Sequence, residues 1–259
     1  MIVEYLRPNT LDEALAFLQR IEPLTIPLAG GTAIDRSKRE PFAVVDLQAL
    51  GLNSITQRGN YVELGAMVTL QSLVERGQNV VQNGGAKFLP NAFYKAIHHE
   101  ATYNLRQVAT IGGTVVAADG CSPFTTVLLA MDVHLEIFPG KNKMSLGDLL
   151  PFRVDNLRGK LITQFTLPTK VNLSYEYVAR TPADQPIVGV CVAQWTSGRT
   201  RVALCGYGSS PMLAMDGSEA AGAQEASRSA YSIAEDEWAS AEYRQEIAGI
   251  LTERCLENI

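Results

Sequence analysis

Two short runs in this 259-residue chain carry glycines and hydroxyls in an order that suits a phosphate. The first is Ala29-Gly30-Gly31-Thr32-Ala33, which leaves a strand-like stretch, Thr25-Ile26-Pro27-Leu28. Glycine has no Cβ, so a pair of them lets the backbone reach positive φ and lets a ligand approach closely. Successive amide N–H groups can then converge on an anion, and Thr32 adds a hydroxyl. The second run, Ala109-Thr110-Ile111-Gly112-Gly113-Thr114, repeats the composition with a hydroxyl on each side of the glycines. One Gly-Gly pair is ordinary turn punctuation. Two pairs suit a dinucleotide, whose adjacent phosphates can use two such loops. Neither run is a G-x-G-x-x-G opening a helix, and neither continues into Gly-Lys-Ser/Thr. The expected phosphate ligands are therefore backbone amides.

The remaining chemistry-bearing residues offer less. Cys121, Cys191, Cys205 and Cys255 are scattered, with no paired spacing for a metal or an iron–sulfur cluster. They read as free, mostly buried thiols. His98-His99 falls at the end of an expected helix, where capping or exposure is the expected role, and His134 lies in a strand pattern as a structural residue. No Ser/His/Asp set is defensible. A formal net charge of −5, with no basic stripe, argues against wrapping a nucleic-acid backbone. No apolar run is long enough to span a bilayer, and no basic-then-apolar leader opens the sequence, so the expectation is a cytoplasmic protein.

The elements that must hold the two glycine runs follow from local patterns. Val3 and Tyr5 belong to a strand, and Thr10-Leu11-Asp12-Glu13 has capping-box spacing ahead of a helix bearing Leu11, Ala14, Leu15 and Leu18. Val44-Val45-Asp46-Leu47 is a second strand, and Gly59-Asn60 marks a hairpin. Helices are expected over residues 69–75 and 85–100, the second glycine run follows as a loop, and a Pro-initiated helix covers 123–131. A strand over 133–138 ends at Pro139-Gly140. A third segment from about Leu167 holds strands over 173–178, 188–195 and 199–206, with Ser197-Gly198 as a turn. Residues 215–229, rich in Ala, Ser and Gly, read as a small-residue helix or a partly mobile stretch. A final helix over 239–256 sets Tyr243, Ile247, Ile250, Leu251 and Cys255 largely on one face. The class is α+β with a C-terminal subdomain.

Leu105-Arg106-Gln107-Val108-Ala109-Thr110-Ile111-Gly112-Gly113-Thr114 resembles the signature of the FAD-binding (medium) subunits of molybdenum hydroxylases, the carbon monoxide dehydrogenase and xanthine dehydrogenase type. Pro27 to Thr32, Val45-Asp46-Leu47, Leu64 to Leu70, Leu128 to Asp132, Val202 to Gly206 with Pro211, and Ala241 to Arg244 resemble the same family in the same order. The resemblance implies a PCMH-type (vanillyl-alcohol-oxidase-like) FAD-binding domain over 1–166, with subdomains of about 1–52 and 53–166. It implies a small α+β C-terminal domain over 167–259. It places the FAD pyrophosphate and ribityl groups on residues 29–33 and 110–114, with Asp119 either accepting from a ribityl or ribose hydroxyl or serving as a plain loop carboxylate. It implies a molybdopterin-binding large subunit and a [2Fe–2S] small subunit as partners, with electrons passing from the clusters through FAD to an external acceptor.

Three departures stand out. Thr114 replaces a common Asn. Gly120-Cys121-Ser122-Pro123 lacks a second acidic residue that relatives often carry beyond Asp119. Tyr177 and Asp184-Gln185-Pro186 stand where a Lys after an aromatic, and a Tyr after the Asp, are common. Two other readings remain: a flavin-poor scaffold subunit of such a complex, or a stand-alone FAD oxidoreductase. The paired glycine runs favour the electron-transfer subunit over the scaffold, and the lack of an acid–base set disfavours the stand-alone enzyme.

Overall fold

The computed structural model describes residues 1–34, 40–82, 88–140 and 142–259. The chain forms two compact units assembled from alternating stretches. One comprises Met1–Leu73, Tyr103–Ala117 and His134–Thr166; the other comprises Val74–Thr102, Ala118–Val133 and Leu167–Ile259.

The first unit opens with strand β1 (Ile2–Leu6), helix α1 (Leu11–Leu18) and strands β2 (Leu24–Leu28) and β3 (Phe42–Asp46). These strands make a parallel sheet in the order β1-β3-β2. The capping box works as expected: Glu13 N–H donates to Thr10 Oγ1 at 3.2 Å, and the Glu13 carboxylate accepts from Asn9 N–H at 2.9 Å. The apolar face of α1, Ala14, Leu15 and Leu18, packs on Val45, Leu47 and Leu161. A hairpin follows, β4 (Ile55–Arg58) and β5 (Tyr61–Gly65), turning at Gly59 with φ +58°.

Chain order then gives α2 (Leu70–Gln82), α3 (Asn91–Glu100), α4 (Tyr103–Arg106), α5 (Ile111–Ala117) and α6 (Pro123–Ala130). Next come β6 (His134–Phe138), β7 (Asn142–Ser145), the short helices α7 (Leu146–Leu149) and α8 (Arg153–Asn156), and β8 (Leu161–Pro168). The five-stranded sheet runs β4-β5-β8-β6-β7.

The second unit is built on an antiparallel meander of β9 (Asn172–Val178), β10 (Val188–Gln194), β11 (Thr200–Cys205) and β12 (Met212–Gly217). Val188, Val190, Val192, Val202 and Leu204 form one apolar face, which packs on α9 (Ala223–Ala230) and α10 (Ala241–Glu257). Helices α3 and α6 also pack on this sheet, α3 on β9 and α6 on β10 and β11. Arg201, from β11, donates to the Leu129 carbonyl of α6 at 3.2 Å and to Asp132 and Asp216 at 2.9 and 2.8 Å. Arg199 pairs with the same two carboxylates at 2.9 and 2.8 Å. Two cations shared between two anions let the buried Arg201 keep its charge.

Several sequence expectations shift. The α3 helix begins at Asn91 rather than Gly85, and residues 85–87 lie outside the described ones. The α2 helix runs on to Gln82. Residues 142–168, for which no element is expected from sequence before Leu167, hold β7, β8 and short helices, so β8 already spans the expected start of the third segment. The small-residue stretch from 215 is a strand, β12, followed by α9; its alanines and serines suit both elements, so composition could not separate them. The buried face of α10 is Arg244, Ala248, Leu251, Thr252 and Cys255, while Tyr243 is exposed. Leu251 and Cys255 are shared with the expected face, and Arg244 and Thr252 join it although they are polar. Among the described residues, no helix is long and apolar enough to cross a membrane.

Arg244 is fully buried. It donates to the carbonyls of Ile187 and Gly206 at 2.7 and 2.5 Å and to Asp236 at 2.6 Å. Its guanidinium also lies over the Tyr207 ring, 5.3 Å from the centroid. Replacing a buried cation with an apolar chain strands its acceptors, so Arg244→Met should lose about 3 kcal/mol of unfolding free energy. Urea denaturation of the full chain measures this; a loss under about 1 kcal/mol would show the side chain to be dispensable.

Candidate functional site

The two glycine runs meet in the first unit. A Cβ on Gly30 would lie 1.8 Å from the Val108 carbonyl oxygen and 2.6 Å from its carbon. The run after β2 therefore lies directly against the backbone that leads into the second run, and only glycine permits it. A Cβ on Gly113 would stand 3.9 Å from the Ala29 Cβ. Gly31 has φ +70°, the left-handed region that favours glycine. Residues 29–31 are half-buried, while Thr32 and Ala33 are exposed.

The second run is not the loop its composition suggested. Thr110 bridges to Thr69, and Ile111 begins α5 with both glycines in its first turn. Ile111 N–H donates to Val68 O at 2.9 Å and Gly112 N–H to Ala66 O at 3.0 Å. Gly113 N–H donates to Thr110 Oγ1 at 3.1 Å, and Thr114 N–H to Thr110 O at 2.8 Å. The first four amides of α5, the usual free donors of a helix start, all have partners within the chain. Gly112 serves packing, since a Cβ there would lie 2.9 Å from Ala66 O. In the first run the amides of Gly30, Gly31 and Thr32 make no hydrogen bond among the described residues. The two glycine pairs look alike in sequence but differ in what they leave available.

Asp119 belongs to the second unit. It is exposed, and its Oδ1 accepts from Cys121 N–H at 2.9 Å. Backbone bonds hold its loop, with Gly120 N–H to Gly208 O at 3.0 Å and Gly206 N–H to Gly120 O at 2.7 Å. A Cβ on Gly120 would meet Tyr207 O at 2.1 Å, so this glycine too is fixed by a backbone approach.

Three groups on α3 have partners that are not assigned from sequence. Glu100 accepts from Ser122 Oγ at 2.8 Å and from Phe124 N–H at 2.9 Å, capping α6. A carboxylate from α3 thus sits on the loop after Asp119. Burial pushes the Glu100 carboxyl above its ordinary value, against the two hydrogen bonds that lower it. The second group is His99, which is half-buried and hydrogen-bonded on both sides, whereas His98 is exposed. The Asp184 carbonyl, 2.9 Å from Nε2, can only accept, so neutral His99 carries its proton there. Its Nδ1 then accepts from the Tyr175 hydroxyl at 3.1 Å. Tyr177 stacks on the imidazole with centroids 3.9 Å apart. Lys95 of α3 donates to Tyr175 O at 2.7 Å and pairs with Glu176 at 3.0 Å, so a lysine reaches β9 from outside it. An aromatic strand residue more than seventy positions away in sequence gives no local signal for such contacts.

The described residues contain no group of three or more His, Cys, Asp or Glu side chains placed to hold a metal ion. Cys191, Cys205 and Cys255 are buried and Cys121 half-buried, all as free thiols.

Comparison with known proteins identifies the family described as FAD binding domain in molybdopterin dehydrogenase, matched over residues 1–170. The chain is 26% identical over 257 residues to the uncharacterized protein YgfM of Escherichia coli K12, covering 97% of this chain and 94% of that one. It is 27% identical over 227 residues to the glyceraldehyde dehydrogenase medium chain of Sulfolobus acidocaldarius, covering 82% and 78% respectively. Among solved structures it resembles a chain of reconstituted CO dehydrogenase from Oligotropha carboxidovorans, with a TM-score of 0.80 at 22% identity over 98% of this chain and 96% of that one. That likeness shares the fold expected from the sequence, with mixed helices and sheets.

Two measurements check the geometry. Gly30→Ala should destabilise the chain by about 2–3 kcal/mol, because its Cβ meets a backbone carbonyl that cannot rotate away. Gly113→Ala should stay within about 1 kcal/mol, since alanine suits a helix and the nearest atom is a side-chain oxygen. Equal losses in urea would refute the different roles assigned to the two glycines. Desolvation, aided by the Lys95 charge, holds His99 below its ordinary value of 6.5, against the Asp184 hydrogen bond. The unfolded chain therefore takes up this proton first. The His99 contribution is complete above about pH 6.5 and is lost as the pH falls toward the lower folded value. His99→Gln should flatten stability against pH in that window; an unchanged slope would show that another group titrates.

Proposed function

The chain belongs to the FAD-binding family of molybdopterin dehydrogenases, and from that premise we propose that it is the medium subunit of a multi-subunit molybdenum hydroxylase, carrying electrons through FAD. The observation that carries this reading is the close approach of Gly30 to Val108, which sets both family glycine runs side by side in one unit. The residues fit the cofactor. The amides of Gly30, Gly31 and Thr32 are without acceptors among the described residues and suit the pyrophosphate. The Thr32 and Thr114 hydroxyls can join them, and Ala29, Ala33 and Thr110 to Gly113 shape the wall. Within α5 the fixed Thr110–Gly113 hydrogen bond makes these residues a rigid support rather than a second set of amide donors. Asp119 keeps its proposed role as acceptor for a ribityl or ribose hydroxyl.

FAD supplies the redox chemistry when bound, and the protein binds and orients it. No acid–base constellation is needed from this chain for that role. Substrate hydroxylation is assigned to a molybdopterin-binding large subunit, with electrons arriving from a [2Fe–2S] small subunit. The medium-chain name of the archaeal relative supports a place in such an assembly. The free, mostly buried thiols support a cytoplasmic setting. The division into a PCMH-type domain over 1–166, with subdomains of about 1–52 and 53–166, and a C-terminal domain over 167–259 is proposed on the family pattern.

Reconstituted with FAD, the purified chain should bind one equivalent and show a flavin absorption band. Failure to bind at stoichiometric levels would leave the scaffold reading in place of this one. Affinity purification of the chain from its native host should bring down a molybdopterin protein and a [2Fe–2S] protein. Recovery of a lone, FAD-loaded chain would instead favour a stand-alone oxidoreductase.

A further inference from the structure

We propose that Arg7 is the cation that neutralises the diphosphate seated on the first glycine run, with Asp46 as its positioning residue. The inference rests on the FAD reading above and names a residue that neither glycine run contains.

The placement follows from register. The parallel strands pair Leu6 with Val45 and Leu28 with Asp46. Arg7, Asp46 and Leu28 therefore stand abreast at the carboxyl edge of the sheet, where the first glycine run departs. Two strand spacings put the Arg7 and Leu28 backbones about 10 Å apart, within the combined reach of an arginine side chain and a diphosphate. In parallel sheets this edge is the one that binds ligands. Leu47 N–H donates to Leu28 O at 3.1 Å, which fixes the end of β3 to the start of the run.

The side-chain chemistry agrees. Val45, Leu47 and Leu6 face the α1 core, so strand alternation puts Tyr5, Arg7 and Asp46 on the opposite face. The Asp46 carboxylate is buried and already has its acceptor sites engaged: Oδ1 accepts from Gln48 N–H at 2.9 Å, and Oδ2 from the Tyr5 hydroxyl. Arg7 Nε stands 3.9 Å from Oδ2, too far for a hydrogen bond, and its side chain is 58% exposed. Among the described residues, Arg7 makes no hydrogen bond. Asp46 thus holds the guanidinium at the sheet edge by charge while leaving its fork of donors available. Such a fork matches two phosphate oxygens. The amides of the glycine run, without acceptors among the described residues, supply dipoles, and Arg7 adds the full positive charge they lack.

The test compares ligands with and without phosphate on the full chain. Arg7→Gln should weaken FAD and ADP binding about ten- to hundredfold and flatten its salt dependence, while riboflavin and adenosine binding stay unchanged. Arg7→Lys should fall between. Arg58→Gln, at another exposed first-unit arginine paired with Glu63 at 3.1 Å, should match the wild type. Wild-type FAD and ADP affinity in Arg7→Gln would overturn the assignment while leaving the FAD reading intact. Equal losses for adenosine and riboflavin would also overturn it, as a defect unrelated to phosphate. A wild-type chain that binds no FAD would overturn both.

Discussion

One contact between two stretches of main chain organises the first unit: the Gly30 backbone against the Val108 carbonyl. A side chain at this point would hold the strands a methyl group further apart. Its absence brings the end of β2 onto the turn before α5, so residues 78 positions apart in sequence become neighbours. The contact is possible because β2 and β3 are parallel and registered, delivering the run after Leu28 at a fixed height on the sheet edge. Everything proposed about a dinucleotide depends on this approach, since a pyrophosphate needs its ligands preorganised rather than gathered from mobile loops.

The second glycine pair shows how one composition serves two ends. In the first run, the amides of Gly30, Gly31 and Thr32 make no hydrogen bond among the described residues. In α5, glycine lets a helix start lie on Ala66 while its amides bond to Ala66, Val68 and Thr110. A helix terminus with no free donors is inert toward anions, whatever its dipole. On the proposed reading, the polar load of a diphosphate falls on the first run and on charge supplied from the sheet edge.

Local patterns made much of the fold legible. The Thr10 box, the Gly59-Asn60 turn, the Pro123 helix start and the alternating strands from Leu173 onward all stand where their spacing put them. The adjacency implied by two similar runs was legible too, although the sequence could not say that Gly30 would meet Val108. What failed to show was non-local. Arg244 lies in a pattern that reads as a solvated helix face, yet three acceptors from distant segments draw it inward. Glu100 and His99 look like a polar helix end; their partners Phe124, Tyr175 and Asp184 come from elements with no spacing relation to α3. The helical state of Ile111 to Ala117 was hidden because Gly-Gly disfavours helix by propensity, a cost that packing on Ala66 and Val68 offsets here.

The order in which the second unit's parts leave the ribosome has its own consequence. Helices α3 and α6 cover a sheet whose first strand begins at Asn172, some forty residues after α6 ends at Ala130. During synthesis both helices therefore exist before the surface that buries them. The faces of α3 and α6 that pack on β9, β10 and β11 must wait uncovered while β6 to β8 are made. No single break in the chain separates the two units, since each is composed of three stretches that alternate with the other's. Nascent chains of this protein are thus natural clients for chaperones that shield apolar helices until the last hundred residues arrive.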